Sequence, residues 1–153
     1  MILVKVKDES EMADLAKKIA KITSKGDIIG LKGSLGVGKS FFARSFINSV
    51  SIRAENVASP TFNLVYSYQT KIGELFHFDL YRLKNFFELE NIGFFDSIKE
   101  GTCLIEWPEI AAKCLKEKYL EIEIKSCDKI GPLGRTVILK PDQLWQNKIS
   151  INF

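Results

Sequence analysis

The clearest chemistry in this chain lies in one short segment. Gly33-Ser34-Leu35-Gly36-Val37-Gly38-Lys39-Ser40 satisfies the pattern G-x-x-x-x-G-K-[ST] at every fixed position. Glycines at those places let the backbone curl so that several N–H groups converge on phosphate oxygens. A helix expected to begin near Lys39 adds the positive end of its dipole. Lys39 would set a mobile cation on the β- and γ-phosphates of a nucleotide. Ser40 would offer a small hydroxyl oxygen of the kind Mg²⁺ accepts.

A phosphate loop needs a further acid, for the metal or for the attacking water. Two candidates stand at expected strand ends. Glu106 follows the apolar run Thr102 to Ile105, the Walker-B pattern with Glu for Asp, and Asp79 follows Leu75-Phe76-His77-Phe78. In open α/β sheets ligands bind outside the carboxyl ends of the strands, where both would lie. His77, between the loop chemistry and the core pattern, reads as a satisfied, half-buried imidazole. ATP is the expected nucleotide. Neither Asn147-Lys148-Ile149-Ser150 nor Thr70-Lys71-Ile72-Gly73 carries the Asp of a guanine-reading motif, and Arg82 excludes Asp-x-x-Gly at Asp79.

The elements that must position these groups follow from hydrophobic period and capping signals. Ile2 to Val6 reads as a strand. Asp8, with Glu11 three residues later, caps a helix carrying Met12, Leu15, Ala16, Ile19 and Ala20 at helical spacing. Asp27 to Lys32 reads as a strand before the loop, and Phe41 to Val50 continues as a helix, the context the motif requires. Asn63–Tyr68 and Glu74–Asp79 read as a hairpin about Lys71-Ile72-Gly73, and Phe86 to Glu90 as helical. The run ending in Glu106 suits a strand buried on both faces. A short helix near Ile110 to Leu115, an alternating strand Tyr119 to Lys125 and a last strand Arg135 to Lys140 complete the pattern. The expected fold is a three-layer α/β/α, P-loop NTPase-like domain with a mixed sheet. Its core covers about residues 2–140, and 141–153 are a C-terminal tail.

Composition narrows the class. The chain has 153 residues, 46% apolar and 27% charged, which suits one globular domain. Three cysteines without a C-x-x-C pair, and one histidine, exclude a zinc site or a disulfide framework. The net charge is +3, and lysine supplies 18 of the 22 basic residues without a dense run, so a solvated surface is expected rather than a nucleic-acid footprint. No apolar run approaches the roughly 18 residues of a membrane span. The N-terminus lacks a signal-peptide pattern, so no membrane association and a cytoplasmic location are expected. Among the aromatic residues, Phe86-Phe87 and Phe94-Phe95 are dense enough to face a protein partner.

Four blocks resemble the TsaE (YjeE) family of bacterial tRNA threonylcarbamoyladenosine biosynthesis ATPases. They are Gly33 to Ser40 continuing through Phe42-Ala43-Arg44; Val57-Ala58-Ser59-Pro60-Thr61-Phe62 with Leu64-Val65-Tyr66; His77-Phe78-Asp79-Leu80-Tyr81-Arg82-Leu83; and Ile105-Glu106-Trp107-Pro108-Glu109. The resemblance implies a Mg²⁺- and ATP-binding ATPase, slow without partners. It would work with TsaD and TsaB, and with tRNA through that complex, to install threonylcarbamoyl on the adenosine next to the anticodon. It implies that Ser40 and Glu106 hold Mg²⁺, that Thr61 acts as a switch near the γ-phosphate and that Asp79 serves hydrolysis, with Asp79, Thr61 and Glu106 as the catalytic set. It extends the nucleotide contacts from Gly33, Ser34, Leu35, Gly36, Val37, Gly38, Lys39 and Ser40 to Phe41, to Arg135 after Gly134, and to Glu9 on the adenine side. Ser34 departs from the acid usual after the first loop glycine, and Ser40-Phe41 from the frequent Thr-Thr. Two other classes compete: a small-molecule P-loop kinase, whose lid would need more than the four arginines present, and a nucleotide-dependent binding switch with little turnover.

Overall fold

Strands covered on both faces form the centre of a parallel sheet, and here the most fully buried of them, Thr102–Glu106, lies inside the sheet. The structure, a computed structural model, describes residues 1–53, 56–115 and 119–152. In chain order the elements are β1 (Ile2–Val6), α1 (Glu9–Ile22), β2 (Ile28–Lys32), α2 (Lys39–Val50), β3 (Val65–Thr70), β4 (Gly73–Asp79), α3 (Glu88–Asn91), α4 (Phe94–Glu100), β5 (Thr102–Glu106), a 3₁₀ turn Pro108–Ala111 leading into α5 (Ala112–Leu115), β6 (Leu120–Ser126), β7 (Arg135–Lys140) and α6 (Gln143–Asn152).

The strands form one sheet in the order β1-β7-β6-β2-β5-β4-β3. The four central strands, β6, β2, β5 and β4, are parallel; β7 pairs antiparallel with β6 and β1 antiparallel with β7 on one side, and β3 pairs antiparallel with β4 on the other. All five residues of β5 are buried. Parallel pairing aligns Asp79 with Glu106 across β4 and β5, so both acids reach the same edge of the sheet.

Two apolar clusters make three layers. Leu15 and Ile19 of α1, Phe42, Phe46 and Ile47 of α2 and Trp145 of α6 pack with Ile29, Leu31, Leu104 and Ile122 on one face. Phe78, Cys103 and Ile105 pack with Leu89 of α3, Phe94 of α4 and Leu115 of α5 on the other. Alternation turns Glu121 and Glu123 of β6 to this second face. There Lys140 bridges both carboxylates, with Lys32 on Glu121 and Lys125 on Glu123. These lysines are the main reason Glu121 and Glu123 sit below the usual carboxylate range, though burial opposes them most strongly at Glu121.

The mixed three-layer architecture stands as expected, with local differences, of which one is that β3 runs two residues later than read, Val65–Thr70 against Asn63–Tyr68. Asn85 Oδ1 accepts the N–H groups of Phe87 and Glu88, which turns the chain there and starts α3 two residues late. Residues 94–100 form a helix, and Phe94 is core, edge-on to Phe78 at 5.1 Å, whereas Phe87 is exposed. The expected tail carries α6; Phe153 lies outside the described residues. Asp142 caps α6 by accepting the N–H of Trp145, and Trp145 and Ile149 are buried against α1. Trp145→Ala should therefore lower stability by about 3–5 kcal/mol, the range for truncating a buried aromatic. Chemical denaturation would measure it, and a loss below about 1 kcal/mol would make α6 peripheral.

Candidate functional site

β2 enters the glycine loop and α2 leaves it, and the loop's shape requires glycine. Gly33, Gly36 and Gly38 have φ of +140°, +73° and +117°. A Cβ on Gly33 would lie 2.4 Å from the Ile124 carbonyl oxygen, so that position admits no side chain. Gly38 is the N-cap of α2 and brings no side-chain acceptor, which leaves the first-turn N–H groups facing outward.

Lys39 is buried at the start of α2. Its Nζ donates to the carbonyls of Gly33 at 2.7 Å and Ser34 at 2.8 Å and lies 3.9 Å from the centre of the Trp107 ring. Burial pulls the ammonium pKa down, against the raising influence of the Glu106, Asp79 and Glu109 carboxylates. One residue on, Ser40 Oγ donates to Glu106 Oε2 at 2.8 Å. The other oxygen of Glu106 meets His77 Nε2 at 2.9 Å. Beside this pair, Asp79 Oδ2 accepts from Thr61 Oγ1 at 2.8 Å and Oδ1 from the Tyr81 N–H at 3.0 Å. Thr61 in turn shares a 2.7 Å contact with Ser59.

These groups line one cleft of 270 Å³ with Lys39, Ser40, Thr61, Asp79 and Glu106 on its walls, together with Leu35, Gly36, Gly38 and Phe41. A second cleft, of 210 Å³, opens on the other side of the loop, where Glu9 at the start of α1, Val37, Phe41 and Arg135 meet. Arg135 Nε donates to the Val37 carbonyl at 2.9 Å, so the arginine braces the loop itself. Gly33 and Ser34 line neither cleft; their carbonyls hold Lys39.

The oxygen chemistry suits a small hard cation. Ser40 and Glu106 offer two adjacent oxygens, and Mg²⁺ normally keeps several waters and takes the rest of its shell from phosphates. Among the described residues no group of three His, Cys, Asp or Glu side chains could cage a metal alone. Ser40 and Glu106 are the residues that could hold such a cation.

Three site residues were harder to read from sequence. The Trp107 and Tyr81 rings lie 4.8 Å apart, tilted by 41°, and line the first cleft. Their signal was position: each follows a strand-end acid, by one residue or by two. Trp107 also adopts a left-handed φ of 57°, as does Leu64 at 67°, which is costly for residues with side chains and tends to occur near functional sites. His77 is buried rather than half-buried, and among the described residues its Nδ1 has no hydrogen-bond partner.

The fold is a three-layer α/β architecture with a mixed seven-stranded sheet, and its glycine loop carries the G-x-x-x-x-G-K-[ST] pattern between β2 and α2. Residues 6–136 match the family model of "Threonylcarbamoyl adenosine biosynthesis protein TsaE". The chain therefore belongs to the TsaE family, which functions in tRNA threonylcarbamoyladenosine biosynthesis. It is similar to the tRNA threonylcarbamoyladenosine biosynthesis protein TsaE of Rickettsia felis, 38% identical over 122 residues that cover 80% of this chain and 71% of that one. The protein of the same name from Aquifex aeolicus is 37% identical over 120 residues, 78% of this chain and 84% of that one. The crystal structure of Bacillus subtilis YdiB shares the fold, with a TM-score of 0.74 at 23% identity over 98% of this chain and 92% of that one. Among the described residues no helix is long and apolar enough to cross a membrane.

Proposed function

We propose that the chain is a Mg²⁺-dependent ATPase that acts with TsaD and TsaB to form the threonylcarbamoyl group on the adenosine next to the anticodon. The observation that carries this reading is the convergence of Lys39, Ser40, Thr61, Asp79 and Glu106 on one cleft beside the glycine loop. Loop and α2 N–H groups would cradle the phosphates. Lys39 would leave the Gly33 and Ser34 carbonyls for the β- and γ-phosphates. Ser40 and Glu106 would hold Mg²⁺, which supplies charge neutralisation for phosphoryl transfer. Asp79 would position and polarise the attacking water, with Thr61 next to it as the switch toward the γ-phosphate. Glu9, Phe41 and Arg135, across the loop, would flank the base. A kinase reading gains nothing: Arg135 braces the loop and Arg82 donates to the Phe62 carbonyl, and neither arginine lines the first cleft.

The test is functional. The protein should hydrolyse ATP faster with the partner pair than alone and restore repeated rounds of tRNA modification by that pair. Nucleotide binding without any such stimulation would make it a binding switch instead.

Glu106→Gln should cut the factor by which Mg²⁺ strengthens ATP binding by about tenfold, since losing an interaction with a charged oxygen costs about 1.5 kcal/mol or more. Glutamine keeps an acceptor and the size, so the fold should stand. Calorimetry with Mg²⁺ and with EDTA measures the factor. An unaltered factor would move the metal role to Asp79.

A further inference from the structure

We propose that His77 is a positioning residue for the metal site: its imidazole locks the Glu106 carboxylate so that one oxygen is presented to Ser40 and to Mg²⁺. This rests on the nucleotide reading above and adds to it a residue that touches neither nucleotide nor metal.

The geometry is a clamp. A carboxylate only accepts hydrogen bonds, so the 2.9 Å contact requires the hydrogen on His77 Nε2. With Oε1 held by His77 and Oε2 by Ser40 at 2.8 Å, both oxygens of Glu106 are fixed by donors from different elements, β4 and α2. The two side chains are 1% and 2% exposed, so water does not compete for the contact. Register makes the clamp necessary. Glu106 pairs with Asp79 across the strands, and His77 with Leu104, so the carboxylate reaches back along the sheet to meet the imidazole. Without that donor it could turn toward Lys39, whose ammonium it already influences.

The unpartnered Nδ1 points the same way. It is a buried polar atom with no hydrogen bond among the described residues, a burden that a native interior rarely carries without cause. A phenyl ring would fill the space with no orphan nitrogen. What the imidazole adds is the donor to Glu106. Outer-shell donors of this kind fix the direction of a ligand oxygen, and their loss typically weakens metal binding about 10–100-fold.

The experiment compares ATP affinity with Mg²⁺ and with EDTA for the full chain, for His77→Phe and for His77→Gln. His77→Phe should reduce the Mg²⁺ factor about tenfold or more while the affinity in EDTA stays parental. His77→Gln, whose amide can donate to the same oxygen, should recover most of it. A parental factor in His77→Phe, or losses as large in EDTA as in Mg²⁺, overturns the inference and leaves the nucleotide reading intact. A wild-type protein that binds no ATP in Mg²⁺ overturns both. If His77→Phe does not fold, two measurements remain. Loss of the Mg²⁺ factor in a folded His77→Asn with recovery in His77→Gln supports the clamp, and equal behaviour of the two overturns it. Nitrogen NMR of the metal-free wild type should show the imidazole proton on Nε2 and a bare Nδ1; a proton on Nδ1 with Nε2 bare overturns it.

Discussion

Lys39→Ala is expected to abolish tight Mg-ATP binding. The ammonium is buried, held by the carbonyls of Gly33 and Ser34 and capped by the Trp107 ring. Burial lowers its pKa, the mark of a cation poorly served by water, while the nearby carboxylates only partly offset that. Phosphate oxygens would serve it better than two neutral carbonyls. A charge-assisted hydrogen bond of this kind is worth about 1.5–3 kcal/mol, or roughly tenfold to more than a hundredfold in affinity. Among the described residues no other lysine or arginine lines the first cleft. The cost to the fold should be small, because Ser34 is exposed and water can take the lysine's place at the abandoned carbonyls. Calorimetric titration with Mg-ATP, beside a thermal melt, checks both halves. Parental affinity in a folded variant would remove the Gly33–Ser40 loop from nucleotide binding altogether.

Asp79→Asn should separate hydrolysis from binding. Asparagine Oδ1 can still accept the Tyr81 N–H, and its amide can donate to Thr61 Oγ1, whose hydroxyl turns to accept. The local hydrogen bonds thus survive with altered direction, and the melting temperature should change little. The phosphates and metal have other partners in Lys39, Ser40 and Glu106, so ATP affinity should stay near parental. What disappears is the negative charge that can polarise a water beside the γ-phosphate. Loss of a general base costs roughly 10²–10⁴ in rate. Turnover should therefore fall by that factor in an assay that includes the proposed partner proteins. Parental turnover would leave Asp79 as the anchor of Thr61 and Tyr81, with the hydrolytic role passing to Thr61 or to a partner.

Much of the site was written locally. The glycine loop was legible because three nearby positions need left-handed backbone, which glycine tolerates and other residues resist. The strand before it and the helix after it follow from hydrophobic period and from helix-start chemistry, and Ile2–Val6 and Arg135–Lys140 stand at the bounds read from sequence. Glu106 was legible because an unbroken apolar run ending in an acid is what a doubly covered strand looks like when it meets the sheet edge. The tertiary structure decided which groups meet. Ser40 finds Glu106 across 66 residues, Glu106 finds His77 across 29 and Thr61 finds Asp79 across 18. Those partnerships follow from β4, β5 and β2 lying side by side in parallel register, and hydrophobic period carries no information about which strand neighbours which. The same holds for α6. Only packing beside α1 makes burial of Trp145 and Ile149 favourable enough to order a segment so short, read from sequence as a tail.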